Sequence, residues 1–292
     1  MNQPADHLNE PPNNQPNDLP AVLDEIIEYK RLQVREEQST TPVTELESIA
    51  RDAEPARDFF AALVESPRHE SMAVIAEIKR RSPSAGLIRP EYDRPDFDPA
   101  VIAVQYSNAG ASAISCLTDQ KFFAGDPSYI NRIKSAVDLP VIRKDFIIDP
   151  YQITQARAIG ADAVLLIAEC LSDTQIRDFI AHIHDLEMTT LIEIHAEHNL
   201  DRILPILESA PTPRILLGIN NRDLTKMTTD LNHSIDLLPK TPHPSQTVTE
   251  SGIRTHQDLM TLKNAGLNIA LIGEHLMRTP NPGNALSDLL NP

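Results

Sequence analysis

A chain of 292 residues with 41% hydrophobic content and a formal charge of −16 has enough apolar material for a large core. It is too acidic to grip nucleic acid or an anionic membrane, both of which need a basic face, although a small anionic ligand stays allowed if cations gather in a pocket. Cys116 and Cys170 are the only cysteines, which argues against a disulfide framework or a thiolate metal site. The polar start of the chain and the lack of any apolar run near 18 residues argue against a signal peptide or a membrane span, so a cytoplasmic protein is expected.

In chain order, residues 1–19 hold Pro4, Pro11, Pro12 and Pro16 among Asn, Gln and Asp. Such a stretch buries too little to offset its ordering entropy and predicts a disordered tail, dispensable for activity. Residues 20–292 predict one folded unit. From Ala21 the spacing of Val22, Ile26, Ile27 and Val34 predicts an amphipathic helix to about Glu37, followed by shorter helices to about Ser66, all packed near the surface of what comes next. A beat of short apolar runs then begins, each run followed by a longer amphipathic stretch. The runs are Ala73 to Ile78, Ala113 to Leu117, Pro140 to Arg143, Ala163 to Ile167, Thr190 to Ile194, Ile215 to Ile219, Thr247 to Thr249 and Ile269 to Ile272. Eight nearly continuous apolar strands alternating with helices predict an α/β fold of the (β/α)8 TIM barrel class with extra N-terminal helices. The open doubly wound sheet is the competing arrangement, but no Gly-x-Gly-x-x-Gly follows any strand.

Polar residues at the C-terminal ends of barrel strands converge on one mouth. Strand one ends Glu77-Ile78-Lys79, with carboxylate and ammonium on one face, and runs on to Arg80-Arg81-Ser82-Pro83-Ser84. Strand three ends Arg143-Lys144-Asp145-Phe146, strand five carries Glu193, and strand six ends Asn220-Asn221-Arg222-Asp223. Strand seven ends Glu250-Ser251-Gly252 and strand eight ends Gly273-Glu274. Of Arg143 and Lys144 only one can face the mouth, and Lys144 is expected there. Lysines and glutamates packed this closely are costly unless paired or used, so the cluster points to chemistry. Cys116 sits within strand two and reads as a small core hydrophobe. His195 shares parity with Glu193 but reads as a loop or supporting residue.

The segments Ile75 to Ser84, Leu117-Thr118-Asp119 with Phe122-Phe123, Arg143 to Phe146, Leu191 to His195, Gly218 to Leu224 and Glu250 to Ile253 resemble, in order, the signature motifs of indole-3-glycerol phosphate synthases. The resemblance spans residues from about 20 to 290. It implies a substrate, 1-(2-carboxyphenylamino)-1-deoxyribulose 5-phosphate, that is cyclised with loss of carbon dioxide and water, and it implies neither cofactor nor metal. It also implies roles: Lys144 as general acid, with a dry pocket expected to lower its pKa; Glu193 as base; Lys79 as second acid, anion ligand or both; Glu77 as a partner that holds Lys79 or Lys144 in place; Asn220 and Glu250 as orienting groups. The phosphate is expected against Ser251, Gly252 and Gly273, with Lys79 and Ser82 closing the other side; Pro83, Arg222, Leu224 and Glu274 are expected as further substrate-binding residues. Phe123, Phe146 and Leu166 are expected to line the anthranilate slot. After Leu224 the chain reads Thr225-Lys226-Met227, where the family commonly has an aromatic.

Two rivals remain. Phosphoribosylanthranilate isomerase, a barrel of the same pathway, works with a cysteine on strand one and an aspartate, whereas strand one here offers Glu77 and Lys79. A catalytically silent barrel, kept as a scaffold, has no need of an acid or base at every motif position. Association with other enzymes of tryptophan synthesis is compatible with the resemblance, and no nucleic acid or membrane partner is expected.

Overall fold

The computed structural model describes residues 21–65, 72–210 and 212–291; the tail expected at 1–19 lies outside the described residues. Eight parallel strands, β1 (Ala73–Ile78), β2 (Ala113–Leu117), β3 (Val141–Lys144), β4 (Ala163–Ile167), β5 (Thr189–Ile194), β6 (Ile215–Asn220), β7 (Thr247–Glu250) and β8 (Ile269–Ile272), pair in sequence. The sheet closes where β8 returns to β1, with Val74 opposite Ala270. The eight apolar runs read from the sequence are these strands, to within one residue at either end.

Helices lie between the strands, and their starts are written in short polar signals. Asp98 and Asp149 each cap a helix whose first residue is proline, at Pro99–Asn108 and Pro150–Ala158. Ser172 with Gln175 and Thr255 with Asp258 form reciprocal capping boxes for Asp173–Asp185 and His256–Asn264. Each such cap satisfies amide groups that the helix itself leaves open and is worth about 1 kcal/mol.

Strand residues alternate between two cores. Ile75, Ile142, Leu165, Leu191, Leu216, Val248 and Leu271 fill the barrel interior, while Val74, Ile114, Cys116, Val164, Leu166, Ile192 and Ile219 face the helix layer. The interior is stoppered at the N-terminal ends of the strands by Phe59, Phe60 and Leu63 of a short helix, Phe59–Val64. Burying an aromatic or aliphatic side chain of this kind contributes about 1.5–3 kcal/mol, so the bottom of the barrel is closed by hydrophobic packing and the mouth alone stays open.

Helix α1 (Ala21–Thr40) departs from expectation in length and in position. At 20 residues it is about 30 Å long. Its first turns do not lie on the outer surface: Val22, Leu23 and Ile26 form part of the wall of the mouth cavity. The cause is Lys30, 1% exposed, whose ammonium lies 2.9 Å from Asp119 and 2.8 Å from Asp145 at the ends of β2 and β3. Asp145 also accepts hydrogen bonds from Thr118 Oγ1 at 2.6 Å and from Arg143 at 3.1 Å. Burial opposes charge on Asp145, yet Lys30 and Arg143 outweigh it and hold its carboxyl at about 2. A second short helix, Val43–Asp52, rests Leu46 against Val34 of α1 and Tyr151.

Candidate active site

The strand ends and α1 enclose a cavity of about 1010 Å³, including its open mouth, lined by polar groups from five strands. On β3 the alternation sends Arg143 outward, where it donates to Gln152 O and Thr118 Oγ1, and sends Lys144 inward. Lys144 Nζ donates to Glu193 Oε2 at 2.9 Å and lies 3.8 Å from Glu250 Oε2. Across the cavity Lys79 Nζ lies 2.6 Å from Glu77 Oε1. Asn220 Nδ2 donates to Glu193 Oε1 at 3.1 Å. Lys144, Glu193, Lys79, Glu77, Asn220 and Glu250 are thus brought together around one space.

Electrostatics corrects one expectation. Burial by itself disfavours the Lys144 ammonium, but Glu193, Glu250 and Glu77 surround it and hold its pKa above the ordinary lysine value. Burial and the surrounding carboxylates push in opposite directions, and the carboxylates decide the sign. Glu193 and Glu250 divide their burden unequally. Burial works against both; Lys144 and His195 overcome it at Glu193 and keep that group ionised, whereas at Glu250 the charge of Glu193 adds to burial and favours the protonated acid. Glu77 is likewise held ionised against burial by Lys79 and Lys144.

Two glycines make room for these carboxylates. A Cβ on Gly273 would stand 2.3 Å from Glu77 Oε1, and one on Gly218 would stand 2.3 Å from Glu250 Oε1. Gly273 therefore serves the Glu77 carboxylate, and it does not line the cavity. Gly252, with φ +87°, follows Ser251, itself at φ +69°; this left-handed pair turns Ser251 into the lining and leaves Gly252 behind it. Glu274 also stands outside the lining, where it accepts from Arg222 at 3.1 Å and from Arg278 at 2.8 Å.

The mouth is roofed by two loops. After β1 a small ribbon, Arg81–Ser82 paired with Gly86–Leu87, holds Ser82, Pro83 and Ser84 over the cavity. After β6 the Asp223 carboxylate accepts from Thr225 and from the Lys226 amide, and Arg222 bridges to Thr229. Arg222 ties the loops together by donating to Ser84 Oγ as well as to Glu274. Leu224 and Met227 both reach the cavity from this loop, so Met227 supplies apolar surface in the Thr225-Lys226-Met227 stretch.

On the apolar side Phe123 and Phe146 lie with ring centroids 5.9 Å apart. Leu166 is not beside them. It is fully buried against the helix layer, and its neighbours Leu165 and Ile167 line the cavity. A strand covered on both faces gives no sign in its sequence of which parity points inward. The reverse omission is His195, which lines the cavity with Nε2 3.2 Å from Glu193 Oε1 and Nδ1 3.3 Å from Glu169 Oε2. Its parity with Glu193 was the available signal. Among the described residues no three His, Cys, Asp or Glu side chains are grouped to hold a metal ion, and no helix is long and apolar enough to cross a membrane.

The barrel itself is shared widely. A 3-hexulose-6-phosphate synthase from Salmonella typhimurium superposes with a TM-score of 0.58 at 13% identity, covering 75% of this chain and 96% of that one. A mutant tryptophan synthase alpha-subunit from Pyrococcus furiosus does so with a TM-score of 0.56 at 12% identity, covering 75% and 98%. Such likeness speaks to fold alone. Sequence relatives are far nearer. The indole-3-glycerol phosphate synthase of Rhodopirellula baltica is 45% identical over 260 residues, 89% of this chain and 95% of that protein. That of Acidithiobacillus ferrooxidans is 43% identical over 268 residues, 92% and 98%. The family model for indole-3-glycerol phosphate synthase matches residues 23–289, and the chain belongs to that family.

Proposed function

We propose that this barrel is a carbon–carbon lyase of tryptophan biosynthesis in the cytoplasm, converting 1-(2-carboxyphenylamino)-1-deoxyribulose 5-phosphate to indole-3-glycerol phosphate, carbon dioxide and water. The observation that carries the reading is Lys144, held 2.9 Å from Glu193 and 3.8 Å from Glu250 inside the mouth of the barrel. That arrangement sets one ammonium, one carboxylate and one neutral acid around the space where a ketone must become an alkoxide.

The ring carbon bearing the carboxylate attacks the ketone carbon, and the ketone oxygen takes the Lys144 proton as the new bond forms. A developing alkoxide is more basic than an amine, so an ammonium with a raised pKa still donates to it. Carbon dioxide then departs, leaving its bonding electrons to restore the aromatic ring. In the last step the hydroxyl leaves as water, protonated by Lys79, while Glu193 removes a proton from the neighbouring carbon and the double bond of the new ring forms. Asn220 orients Glu193, and Glu77 orients Lys79. Nucleophile and electrophile belong to one molecule, so holding them in attack geometry lowers the barrier by up to about 7–11 kcal/mol.

Phe123, Phe146, Leu165 and Ile167 give the anthranilate ring an apolar slot, and Arg222, Lys79, Ser82 and Ser251 offer donors to its carboxylate and the phosphate. No cofactor enters any step. Conversion of the purified carboxyphenylamino substrate by the purified chain, followed by indole fluorescence, tests the reading; absence of fluorescence at enzyme concentrations equal to substrate would refute it.

A further inference from the structure

Glu193 has more partners than a base waiting for one proton requires, and they are not equivalent. Its Oε2 is held by Lys144, and its Oε1 is reached by Asn220 Nδ2 and by His195 Nε2. In the reaction proposed above Lys144 gives its proton to the ketone oxygen. From that moment it is a neutral amine, and Glu193 has lost its nearest cation before its own turn comes.

His195 is built into a second support. Glu169, on the short turn Ala168–Cys170 after β4, accepts the His195 backbone N–H at 2.8 Å and Asn199 Nδ2 at 2.9 Å through Oε1. Its Oε2 faces His195 Nδ1 at 3.3 Å. The imidazole therefore lies between two carboxylates, with its backbone and its ring both tied to the same glutamate. Burial disfavours its charge, but Glu169 and Glu193 outweigh burial and Lys144 and raise its pKa. The groups facing Glu193 from the packed elements are Lys144 of β3, Glu250 of β7 and Glu77 of β1, besides His195 itself.

We propose that His195, anchored by Glu169, is a positioning residue for the base: it fixes Oε1 of Glu193 and supplies the cation that keeps this carboxylate ionised once Lys144 has been spent as an acid. The inference rests on Lys144 acting as acid and Glu193 as base. His195 touches no reacting atom in this scheme, and its effect is felt through Glu193.

The test is the pH dependence of single-turnover kcat in the full chain, for the parent, His195→Leu, His195→Gln and Glu169→Gln. With the cation gone, Glu193 protonates more readily, so the acid limb of kcat should move to higher pH by about one unit in both His195 variants. His195→Leu should also lose up to about 10²-fold in kcat with little change in KM. His195→Gln, which keeps a donor toward Oε1, should recover part of that rate while its acid limb stays displaced. Glu169→Gln, nearly isosteric, should displace the limb in the same direction without unfolding the site. An acid limb at the parental pH in the His195 variants and Glu169→Gln, or a rise in KM with kcat intact, would overturn the proposal. Glu193→Gln run alongside separates this failure from that of the underlying reading: if it turns over at the parental rate, Glu193 is not the base.

Discussion

Two lysines in this chain stand between pairs of acids, and they are put to opposite uses. Lys30 is 1% exposed and lies within 2.9 Å of both Asp119 and Asp145; Lys144 is 14% exposed, at 2.9 Å from Glu193 and 3.8 Å from Glu250. Around Lys30 the charges cancel, since Arg143 joins it against the two aspartates. In the mouth two lysines face three glutamates, so one acid, Glu250, is left to carry a proton, and its Oε1 has no hydrogen-bond partner. The residue types are alike. What separates a fastener from a reactive centre is whether the cluster is complete without a guest and whether a guest can reach it.

Breaking each lysine in turn should expose that difference. Lys144→Met keeps side-chain length and removes the proton donor, so single-turnover rate should fall by about 10²–10⁴-fold while product affinity, measured by titration, changes far less. A rate near the parental value would show that Lys144 is a second fastener. Lys30→Met strands two buried aspartates, and denaturant unfolding should report a loss of about 3–5 kcal/mol; turnover of the folded protein should fall less than for Lys144→Met. Gly273→Ala pushes on Glu77 and, through it, on Lys79, without removing any ionisable group. Misplacement on the scale of an ångström is worth up to about 10²-fold in rate, so reduced turnover is the expected signature, with a melting temperature lowered less than by Lys30→Met. The smallest effect concerns acid. Asp145 is held at about 2, below its unfolded value of 3.8, so the stability it contributes is complete above about pH 4 and is lost as pH falls toward 2. Unfolding curves of the parent and Asp145→Asn should differ at neutral pH by on the order of 2 kcal/mol more than they differ near pH 2.

Strand positions were legible because short, mostly apolar runs of three to six residues between longer amphipathic stretches leave few alternatives. The choice between Arg143 and Lys144 was legible for a related reason: side chains alternate, so only one of the two can face the mouth, and the family resemblance assigned that place to Lys144. Leu166 was misread because Leu165, Leu166 and Ile167 are equally apolar, so composition carries no phase. The setting of α1 was hidden because its amphipathic stripe shows that one face is covered without showing by what, and the partners of Lys30, Asp119 and Asp145, arrive from elsewhere in the chain. Glu169 was missed for the same reason: its contact with His195 crosses from one strand end to the next, and nothing in the local sequence records such a meeting.

Cys116 lies in β2 facing the helix layer, fully buried, with a thiol that burial pushes up. A reagent reaches such a sulfur only when the helices packed over β2 lift from the sheet. Its alkylation therefore keeps time for that opening: under slow labelling the modified fraction counts how often the helix layer parts from β2. Cys170, partly exposed on the turn after β4, keeps time for motion at the mouth. Two cysteines in one tube, separated by mass mapping, would record breathing of the active site and opening of the core beneath the helices on independent dials.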